Sequence, residues 1–403
     1  MRILVLFTRD LRVHDHPALD AAVRDADEVL PLFVADPALL AISPNRTRFL
    51  MDAIEDLDTS LSDRGARLLI RSGDPVVVGP WKAARRRCDA IYLTEDVTPR
   101  ARQRIDAMRE ACGLTGIEVR TFPGHAVVEP GAVTPAGRPA YRVFTPYLHA
   151  WLEAPRRPVL ARPSLITSIP YLHPGRMPAR DRLAAGAPRL PRGGETTGRR
   201  LMQRFLHEGL RGYEEGRDRL DADATSRLSP YLRFGCISAA ELAHRSVDHP
   251  HADAFVRQLA WRDFFLQLVA ADPGLTRTDL RPERAPAWRD DPGAVADWRA
   301  GETGEPLVDA AMRQLLEEGW MPNRARLIAA SYLTRTLGVD WRVGAAHFAE
   351  HLVDGDPASN AGNWQWVAGT GANPRRGQAL NLDRQAKRFD PSGSYRARAD
   401  RHG

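Results

Sequence analysis

One short stretch of the sequence, HLVDGDPASNAGNWQWVAGTG at residues 351–371, concentrates side chains that could hold an aromatic ligand. Within thirteen residues it contains two carboxylates, one carboxamide and two indoles: Asp354, Asp356, Asn360, Trp364 and Trp366. Carboxylates and carboxamides can hydrogen-bond the edge of a heterocycle, and indole rings can pack against its faces. The stretch therefore predicts a site for a planar, hydrogen-bonding ring system.

Two other ligands are less well supported by this stretch. The segment DGDPASN could begin a calcium loop, but its glycine comes too early and no glutamate occupies the closing position. A dinucleotide glycine loop is disfavoured as well, because no GxGxxG motif follows the first apolar run and GTG alone is a weak signal.

A second polar group lies in ATSRLSPYLRFGCIS, where Thr225, Ser226 and Ser229 precede a helix predicted to begin near Pro230. Hydroxyls and free backbone N–H groups at the start of a helix can bind a phosphate. Such hydroxyls cap helices far more often than they bind phosphate, so capping is the favoured explanation from these residues alone.

Tryptophan is concentrated in the second half of the chain, which contains seven of the nine: Trp261, Trp288, Trp298, Trp320, Trp341, Trp364 and Trp366. Packing in a large helical core would explain any single one of them. It would not explain why Trp364 and Trp366 stand among the polar residues of 351–371.

The composition limits the classes of function. A total of 57 Lys and Arg against 51 Asp and Glu gives a net charge of +6, which favours an anionic partner without identifying it. Nearly all the basic residues are arginine, which suits phosphate contacts but also follows from GC-rich coding. Cys88, Cys112 and Cys236 show no metal-like spacing, so we expect a reduced protein without a metal. The opening MRILVLFTRDLR has no leader or long apolar run, which predicts a cytoplasmic, non-membrane protein.

Two kinds of domain must position these groups. Over residues 1–128, the apolar runs ILVLF, VLPLFVA, RLLIRSG, AIYLTED and EVRTF alternate with segments of helical spacing. This alternation predicts an α/β, Rossmann-like domain with a doubly wound parallel sheet. Residues 129–200 are rich in Pro, Gly and Arg and are predicted to form a long connector. Residues 201–403 are predicted to be all-helical, apart from a polar, loop-like last thirty residues that lack a hydrophobic closing segment.

Five segments, taken in chain order, resemble the motifs of bacterial photolyases: FTRDLRVHDHPAL, TSRLSPYLRFG, RQLAWRDFF, VDAAMRQLLEEGWMPNRARLIAASYL and DGDPASNAGNWQWVAGTG. On these motifs the chain is identified as a member of the photolyase/cryptochrome family, most like class I cyclobutane pyrimidine dimer DNA photolyases. The resemblance implies a monomeric lyase with FAD as cofactor and damaged DNA as partner.

The resemblance also assigns the flavin contacts. Phosphate and ribityl contacts are expected from Tyr213, Thr225, Ser226, Leu228 and Ser229. Around the isoalloxazine ring the matching residues are Arg262, Asn323, Arg326, Asp354, Asp356 and Asn360, with Asp354 expected to pair with Arg326. Trp364, Trp341 and Trp288, here named the tryptophan triad, match the chain that passes electrons to the flavin, with Trp288 at the surface.

For the substrate, the resemblance implies a pyrimidine dimer flipped out of the duplex. Trp261 and Trp366 match the aromatic walls of its pocket, and Asn323 and Arg324 match polar contacts to it. Flanking phosphates are expected to bind arginines, which predicts an affinity that falls with salt. The candidate arginines are Arg217, Arg324, Arg375, Arg376 and Arg388.

Two substitutions depart from the family pattern near the substrate. Gln258 stands where dimer-repair members usually have a glutamate, and glutamine can donate a hydrogen bond but cannot supply a proton. Leu327 replaces a common methionine and keeps its apolar volume. Glutamine at position 258 is shared with (6-4) photolyases, but the histidine pair of those enzymes is absent from WMPNRARL. Cyclobutane dimers remain the expected substrate, with a (6-4) photolyase or a cryptochrome-type blue-light receptor as the alternative.

Many relatives hold an antenna cofactor in the sheet domain. The matching residues here are Phe33, Asp36, Arg46, Arg48 and Glu95. No clear folate signature is found, so a deazaflavin is expected in preference to methenyltetrahydrofolate, with an empty pocket as the alternative.

Overall fold

The N-terminal domain is built on five parallel strands. A computed structural model describes residues 1–169, 173–179, 184–372 and 378–397. The strands are β1 (Arg2–Phe7), β2 (Glu28–Ala35), β3 (Leu69–Ser72), β4 (Ala90–Thr94) and β5 (Glu118–Phe122). They are arranged in the order β3-β2-β1-β4-β5, and all neighbours are parallel. The predicted doubly wound parallel sheet is confirmed.

Both faces of this sheet are covered, which explains why its central strands are almost continuously apolar. The helices around it are α1 (Pro17–Asp25), α2 (Pro37–Leu40), α3 (Pro44–Ser62), α4 (Pro75–Arg85) and α5 (Pro99–Gly113). Leu4 and Leu6 of β1 share one core with α4 and α5. Ile3, Val5 and Phe7 face the other side and share a core with α1, α3 and part of the helical domain. The two domains are therefore joined by a common apolar core.

The connector contains a helix, α6 (Phe144–Glu153), that the Pro- and Gly-rich composition did not lead us to expect. It is tied to the helical domain by the buried carboxylate of Asp263. One oxygen of this carboxylate accepts hydrogen bonds from Trp151 Nε1 and from the backbone N–H groups of Val127 and Val128, at 2.9–3.0 Å. Burial raises the pKa of Asp263 even so.

From residue 195 onward the described chain is mainly helical, as predicted for the second domain. Its helices are α7 (Glu195–Arg204), α8 (Tyr213–Gly216), α9 (Ser229–Arg233), α10 (Ala239–Val247), α11 (Asp253–Ala271), α12 (Pro292–Ala300), α13 (Pro306–Glu318), α14 (Asn323–Ser331), α15 (Trp341–His351), α16 (Pro357–Ala368) and α17 (Leu382–Phe389). Among the described residues, none of the helices has the length and apolar character needed to cross a membrane.

Helix α17 corrects the expectation of a loop-like tail without hydrophobic closing residues. Asn381 caps it by accepting from Arg384 N at 2.8 Å, and Ala386 and Phe389 are buried on one face. Tyr395 is also buried, and its hydroxyl donates to Gln314 Oε1 at 2.8 Å. The prediction failed because the apolar pattern of Leu382, Ala386 and Phe389 is short and stands in a basic sequence, so it was overlooked.

Candidate functional site

A cavity of about 480 Å³, including the space at its mouth, opens between α14, α15 and α16. Its wall brings together most of the residues expected around a flavin ring. From α14 come Asn323, Arg326 and Leu327, and from α16 and the loop before it come Asp354, Asp356, Asn360 and Trp364.

The start of α16 fixes several of these groups. Asp356 caps the helix by accepting from the backbone N–H groups of Ala358 and Ser359 at 3.1 and 3.0 Å. Pro357 follows at the first helical position, where its missing N–H costs nothing. Asn360 and Trp364 are four residues apart, so both lie on one helix face toward the cavity.

Asp354 and Arg326 form the expected ion pair. Arg326 Nη2 donates to Asp354 Oδ2 at 2.7 Å, and Arg326 Nε donates to Met321 O at 2.9 Å. The other carboxylate oxygen, Asp354 Oδ1, is buried without a hydrogen-bond partner among the described residues, and so is Trp364 Nε1. Unpaired polar atoms in a cavity wall are costly unless a ligand pairs with them. The wall therefore fits a hydrogen-bonding aromatic ring such as that of FAD.

The carboxamide of Asn360 is held by the neighbouring helix. Its Nδ2 donates to Ala345 O of α15 at 2.9 Å. An amide is uncharged across the accessible pH range. The cavity therefore presents a fixed, neutral polar group at this position rather than a carboxylate.

The hydroxyl side chains around the start of α9 are only partly paired within the protein. Ser229 Oγ accepts from Trp320 Nε1 at 3.1 Å, and Ser226 Oγ accepts from Leu228 N at 3.4 Å. Thr225 Oγ1 is buried without a partner among the described residues. Simple capping leaves this hydroxyl unexplained, so the loop also fits a phosphate or ribityl chain.

Arg227 shapes this loop. Its backbone takes a left-handed conformation, with φ of 50°, and its guanidinium lies 4.3 Å from the centre of the Trp320 ring. It also pairs with Asp223 at 2.7 Å and Glu318 at 2.9 Å. Tyr213, the other expected contact, packs edge-on against Phe205 and Phe255, and burial raises its pKa to about 12.

Arg262, expected beside the isoalloxazine ring, makes its described contacts with a neighbouring segment, and its role at the flavin stays a prediction. Its Nη1 donates to His125 O at 2.6 Å and lies 3.4 Å from Asp263 Oδ1. It is not among the residues that line the cavity. Arg262 instead ties α11 to the segment that follows β5, and its charge acts on Asp356.

The tryptophan triad lies in one core of the helical domain. Trp364 and Trp341 are 2% and 1% exposed, and Trp288 is half-buried at the edge of the same core. Trp341 Nε1 donates to Asp279 Oδ1 at 2.8 Å. Arg289 N donates to Gly338 O at 2.8 Å, which brings the chain at Trp288 beside the start of α15. This gradient of burial agrees with Trp288 at the surface end of the triad.

Gly344 makes room for Trp364, and sequence reasoning missed it. A Cβ at Gly344 would stand 2.1 Å from Trp364 Cη2 and 2.6 Å from Leu333 Cδ2. Gly344 lies on α15 one turn after Trp341. Its missing side chain lets the Trp364 ring pack against the helix that carries Trp341. A glycine in the middle of a helix is the signal that could have revealed it.

Trp261 and Trp366, the expected walls of the substrate pocket, face each other edge to face at 5.1 Å and 83°. Trp261 is also stacked on Phe144 of α6, with ring centres 3.7 Å apart and planes within 4°. Gln258 lies one helical turn before Trp261, and its amide donates weakly to Ala254 O at 3.5 Å. The amide of Gln258 is thus only loosely held by its own helix.

The candidate DNA-binding arginines differ in their surroundings. Arg324 pairs with Asp218 at 3.0 Å and lies 4.2 Å from the centre of the Phe389 ring. Arg388 is exposed beside the same ring, at 5.1 Å. Arg217 is half-buried. Arg375 and Arg376 lie outside the described residues.

The residues expected at an antenna pocket are partly used for other contacts. Arg46 Nη1 donates to the carbonyls of Ala349 and Leu352 at the end of α15, and burial lowers its pKa to about 10. Asp36 caps α2 and pairs with Arg100 at 2.9 Å. Of the other three, Phe33 is buried in the core, Arg48 donates to Ala184 O at 3.4 Å, and Glu95 is exposed. Arg46 is thus engaged with the helical domain, and its place beside an antenna stays a prediction.

Arg9 links the sheet domain to the cavity, and sequence reasoning gave it no role of its own. It pairs with Asp96 at 3.2 Å and with Asp356, the cap of α16, at 2.7 Å. Burial would raise the pKa of Asp356, but the charges of Arg9 and Arg233 outweigh it and hold that pKa below its usual value. Helix α16, which lines the cavity, is therefore anchored by a charge from the other domain.

A Rossmann-like domain joined to a helical domain, with a polar cavity flanked by tryptophans, defines a protein of the flavin-binding class. Residues 3–164 match the family model described as DNA photolyase, and residues 255–398 match the FAD binding domain of DNA photolyase. The chain belongs to the photolyase/cryptochrome family.

Relatives across the whole chain agree with this assignment. A deoxyribodipyrimidine photo-lyase of Streptomyces griseus is 45% identical over 399 residues, which are 97% of this chain and 88% of that protein. A cryptochrome DASH of Natronomonas pharaonis is 35% identical over 420 residues, with 97% and 88% covered. The crystal structure of a bacterial class III photolyase from Agrobacterium tumefaciens superposes with a TM-score of 0.90 at 31% identity, over 98% of this chain and 86% of that one.

Proposed function

We propose that this protein repairs cyclobutane pyrimidine dimers in DNA with the energy of light. The observation that supports this most directly is the cavity wall of Asn323, Arg326, Asp354, Asn360 and Trp364 in a domain that matches the FAD binding domain of DNA photolyase. FAD bound there in its reduced form would supply the light-driven electron that opens the cyclobutane ring.

The side chains of the cavity hold and orient rather than react. Asp354 Oδ1 and Trp364 Nε1, both unpaired within the described protein, are free to pair with the flavin edge. Asn360 presents a neutral amide, which can donate a hydrogen bond to a negatively charged flavin and does not repel it as a carboxylate would. Thr225 and Ser226 are proposed to hold the phosphate and ribityl part, together with Tyr213, Leu228 and Ser229.

The dimer is proposed to stack on the exposed sides of the aromatic walls Trp261 and Trp366. The edge-to-face pair leaves the exposed side of each ring available for stacking, and Phe144 fixes Trp261 from behind. Asn323 and Leu327 line the cavity, and they are proposed to contact the extruded bases. Arg217, Arg324, Arg376 and Arg388 are proposed to bind the flanking phosphates.

Gln258 supports a second candidate, a (6-4) photolyase. Its amide is loosely held, so it can turn toward a substrate and donate a hydrogen bond, but it cannot transfer a proton. The identity to a cryptochrome DASH likewise keeps a cryptochrome-type function as an alternative. We also propose three segments: a sheet domain at 1–128, a connector at 129–200 and a helical domain at 201–403. The protein is further proposed to be a monomer and to bind a deazaflavin antenna.

One experiment separates these candidates. The purified protein is reduced with dithionite, mixed with oligonucleotides that contain either a cyclobutane dimer or a (6-4) photoproduct, and illuminated with blue light or kept dark. The proposal requires light-dependent loss of the cyclobutane dimer. Loss of the (6-4) photoproduct alone would favour the second candidate, and loss of neither by protein with bound, reduced FAD would favour a receptor.

A further inference from the structure

Helix α15 ends in a group of metal-ligand side chains that the proposed function does not use. His347, Glu350 and His351 are spaced i, i+3 and i+4, which places them on one face of the helix. One ligand atom from each side chain lies within 4.8 Å of the others. The two imidazole rings are 4.5 Å apart.

His347 gives independent support for a ligand at this position. It is only 7% exposed, and its Nε2 is buried without a hydrogen-bond partner among the described residues. The Trp298 ring packs against the imidazole, with ring centres 5.4 Å apart and planes at 62°. A buried, unpaired imidazole nitrogen is costly, and a bound metal ion would satisfy it.

We propose that His347, Glu350 and His351 bind a divalent transition metal ion, zinc in the first place, with water as the fourth ligand. Two imidazole nitrogens and one carboxylate oxygen are a common zinc donor set. Ligand atoms about 2.0–2.1 Å from a tetrahedral zinc ion are about 3.3 Å apart. Rotation of the exposed Glu350 and half-buried His351 side chains closes the remaining distance.

The site lies where the two domains meet. Asn45 Nδ2 of α3 donates to His351 O at 2.6 Å, and Arg46 donates to the carbonyl of Ala349. A metal ion bound to three side chains of this turn would hold those carbonyls in place. The same turn leads directly into Asp354, so the ion would also steady one wall of the cavity.

One nearby charge opposes the ion. Arg299 lies close enough for its positive charge to act on both imidazoles. Replacing it with a neutral side chain should therefore strengthen metal binding without removing a ligand. The earlier expectation of a protein without metal was based on cysteine spacing and overlooked the sequence HFAEH.

The test uses the full-length protein without an affinity tag, treated with chelator and dialysed. Zinc chloride is titrated into the parent and into E350Q and H351Q, two variants at positions outside the buried core, and the melting temperature without zinc verifies folding. The matched control is H249A/H251A, which removes two imidazoles on another segment whose ring centres are 5.8 Å apart. An R299Q variant completes the set.

The parent is expected to bind about one zinc ion per chain, and saturating zinc should raise its melting temperature by ~3–5 °C. E350Q and H351Q should weaken zinc binding at least about tenfold, because even substitution of residues that only support metal ligands reduces metal affinity by that factor. H249A/H251A should bind as the parent does, and R299Q more tightly. Absence of saturable binding in the folded parent, or unchanged affinity in both ligand variants, overturns the proposal.

Discussion

At the scale of single residues, the proposed role of Trp364 in electron transfer can be separated from its packing. A phenyl ring can fill much of the same space, but it is harder to ionise than an indole. Trp364→Phe should therefore retain its FAD and lose photoreduction by at least about tenfold, since ~1.4 kcal/mol of added barrier already has that effect. Flavin absorbance during illumination with an external reductant measures the rate.

Trp298 provides the matched control for that experiment. It is fully buried, 6.1 Å from Trp364 between ring centres, and its Nε1 donates to Ala329 O at 3.0 Å. Trp298→Phe should lower the melting temperature and leave photoreduction close to the parent rate. Equal photoreduction in both variants and the parent would mean that Trp364 only fills the core.

Glu129 predicts a pH dependence of stability at the same scale. Burial, with a smaller effect of the Asp263 charge, raises its pKa to about 7. Because the folded pKa lies above the unfolded value, the folded state prefers the protonated acid. The parent should thus lose stability as the pH rises from about 4.5 through 7.

Glu129→Gln stays neutral and keeps an oxygen that can accept from Gly124 N, as Glu129 Oε1 does at 3.1 Å. The variant should melt close to the parent at pH 5 and above it at pH 8. Thermal melts of both proteins across this range supply the measurement. A difference in melting temperature that is the same at both pH values would contradict the raised pKa.

At the scale of elements, Gly344 tests how α15 and α16 are packed. Gly344→Ala forces a methyl group into the space of the Trp364 ring, 2.1 Å from Cη2. Overpacking of this kind typically costs about 1–3 kcal/mol, and displacement of Trp364 should also reduce the FAD content. Thermal melting and the ratio of flavin to protein absorbance report both effects.

The control is Gly113→Ala at the end of α5, where an added Cβ would meet nothing within 4 Å. That variant should be neutral or slightly stabilised, because alanine has the higher helix propensity. If Gly344→Ala behaved in the same way, the close contact between α15 and Trp364 would be disproved.

The elements also show what could be predicted from the sequence and what could not. The strands were predictable because runs of Val, Ile and Leu that alternate with helical segments fit few folds other than a parallel sheet. The polar residues of 351–371 were predictable as a site because they are close together in the sequence. Helices α6 and α17 were not predictable, since α6 lies in a Pro- and Gly-rich connector and α17 is a short helix in a basic, polar tail. The contacts of Arg262 could not be read from its motif, because its partner His125 O lies 137 residues away.

At the scale of the whole molecule, the domains meet at the crevice where ligands usually bind in a doubly wound sheet. The strand order places this crevice between the carboxyl ends of β1 and β4. Arg9 follows β1 and Asp96 follows β4, and their ion pair lies at this crevice. The third partner, Asp356, lies 347 positions after Arg9 in the sequence. This crevice therefore docks the flavin-binding domain.

Arg9→Met tests this arrangement, because it leaves two largely buried carboxylates, Asp96 and Asp356, without their shared cation. Loss of one partner from a buried charged pair typically costs about 3–5 kcal/mol. FAD should be released in parallel, since Asp356 caps the helix that lines the cavity. Urea unfolding followed by protein and flavin fluorescence measures both.

The pH dependence of that loss distinguishes a lost charge from lost packing. Burial opposes ionisation of Asp96 and Asp356, but Arg9 and neighbouring positive charges hold both pKa values below the usual range. Their stabilising contribution is present above about pH 4 and falls as the pH drops below it. Arg9→Met should thus differ most from the parent near pH 7 and least in acid. Arg24→Met, which removes an exposed pair with Asp20, should change stability by less than about 1 kcal/mol at either pH. An effect of Arg9→Met that is equally small would show that apolar packing alone docks the two domains.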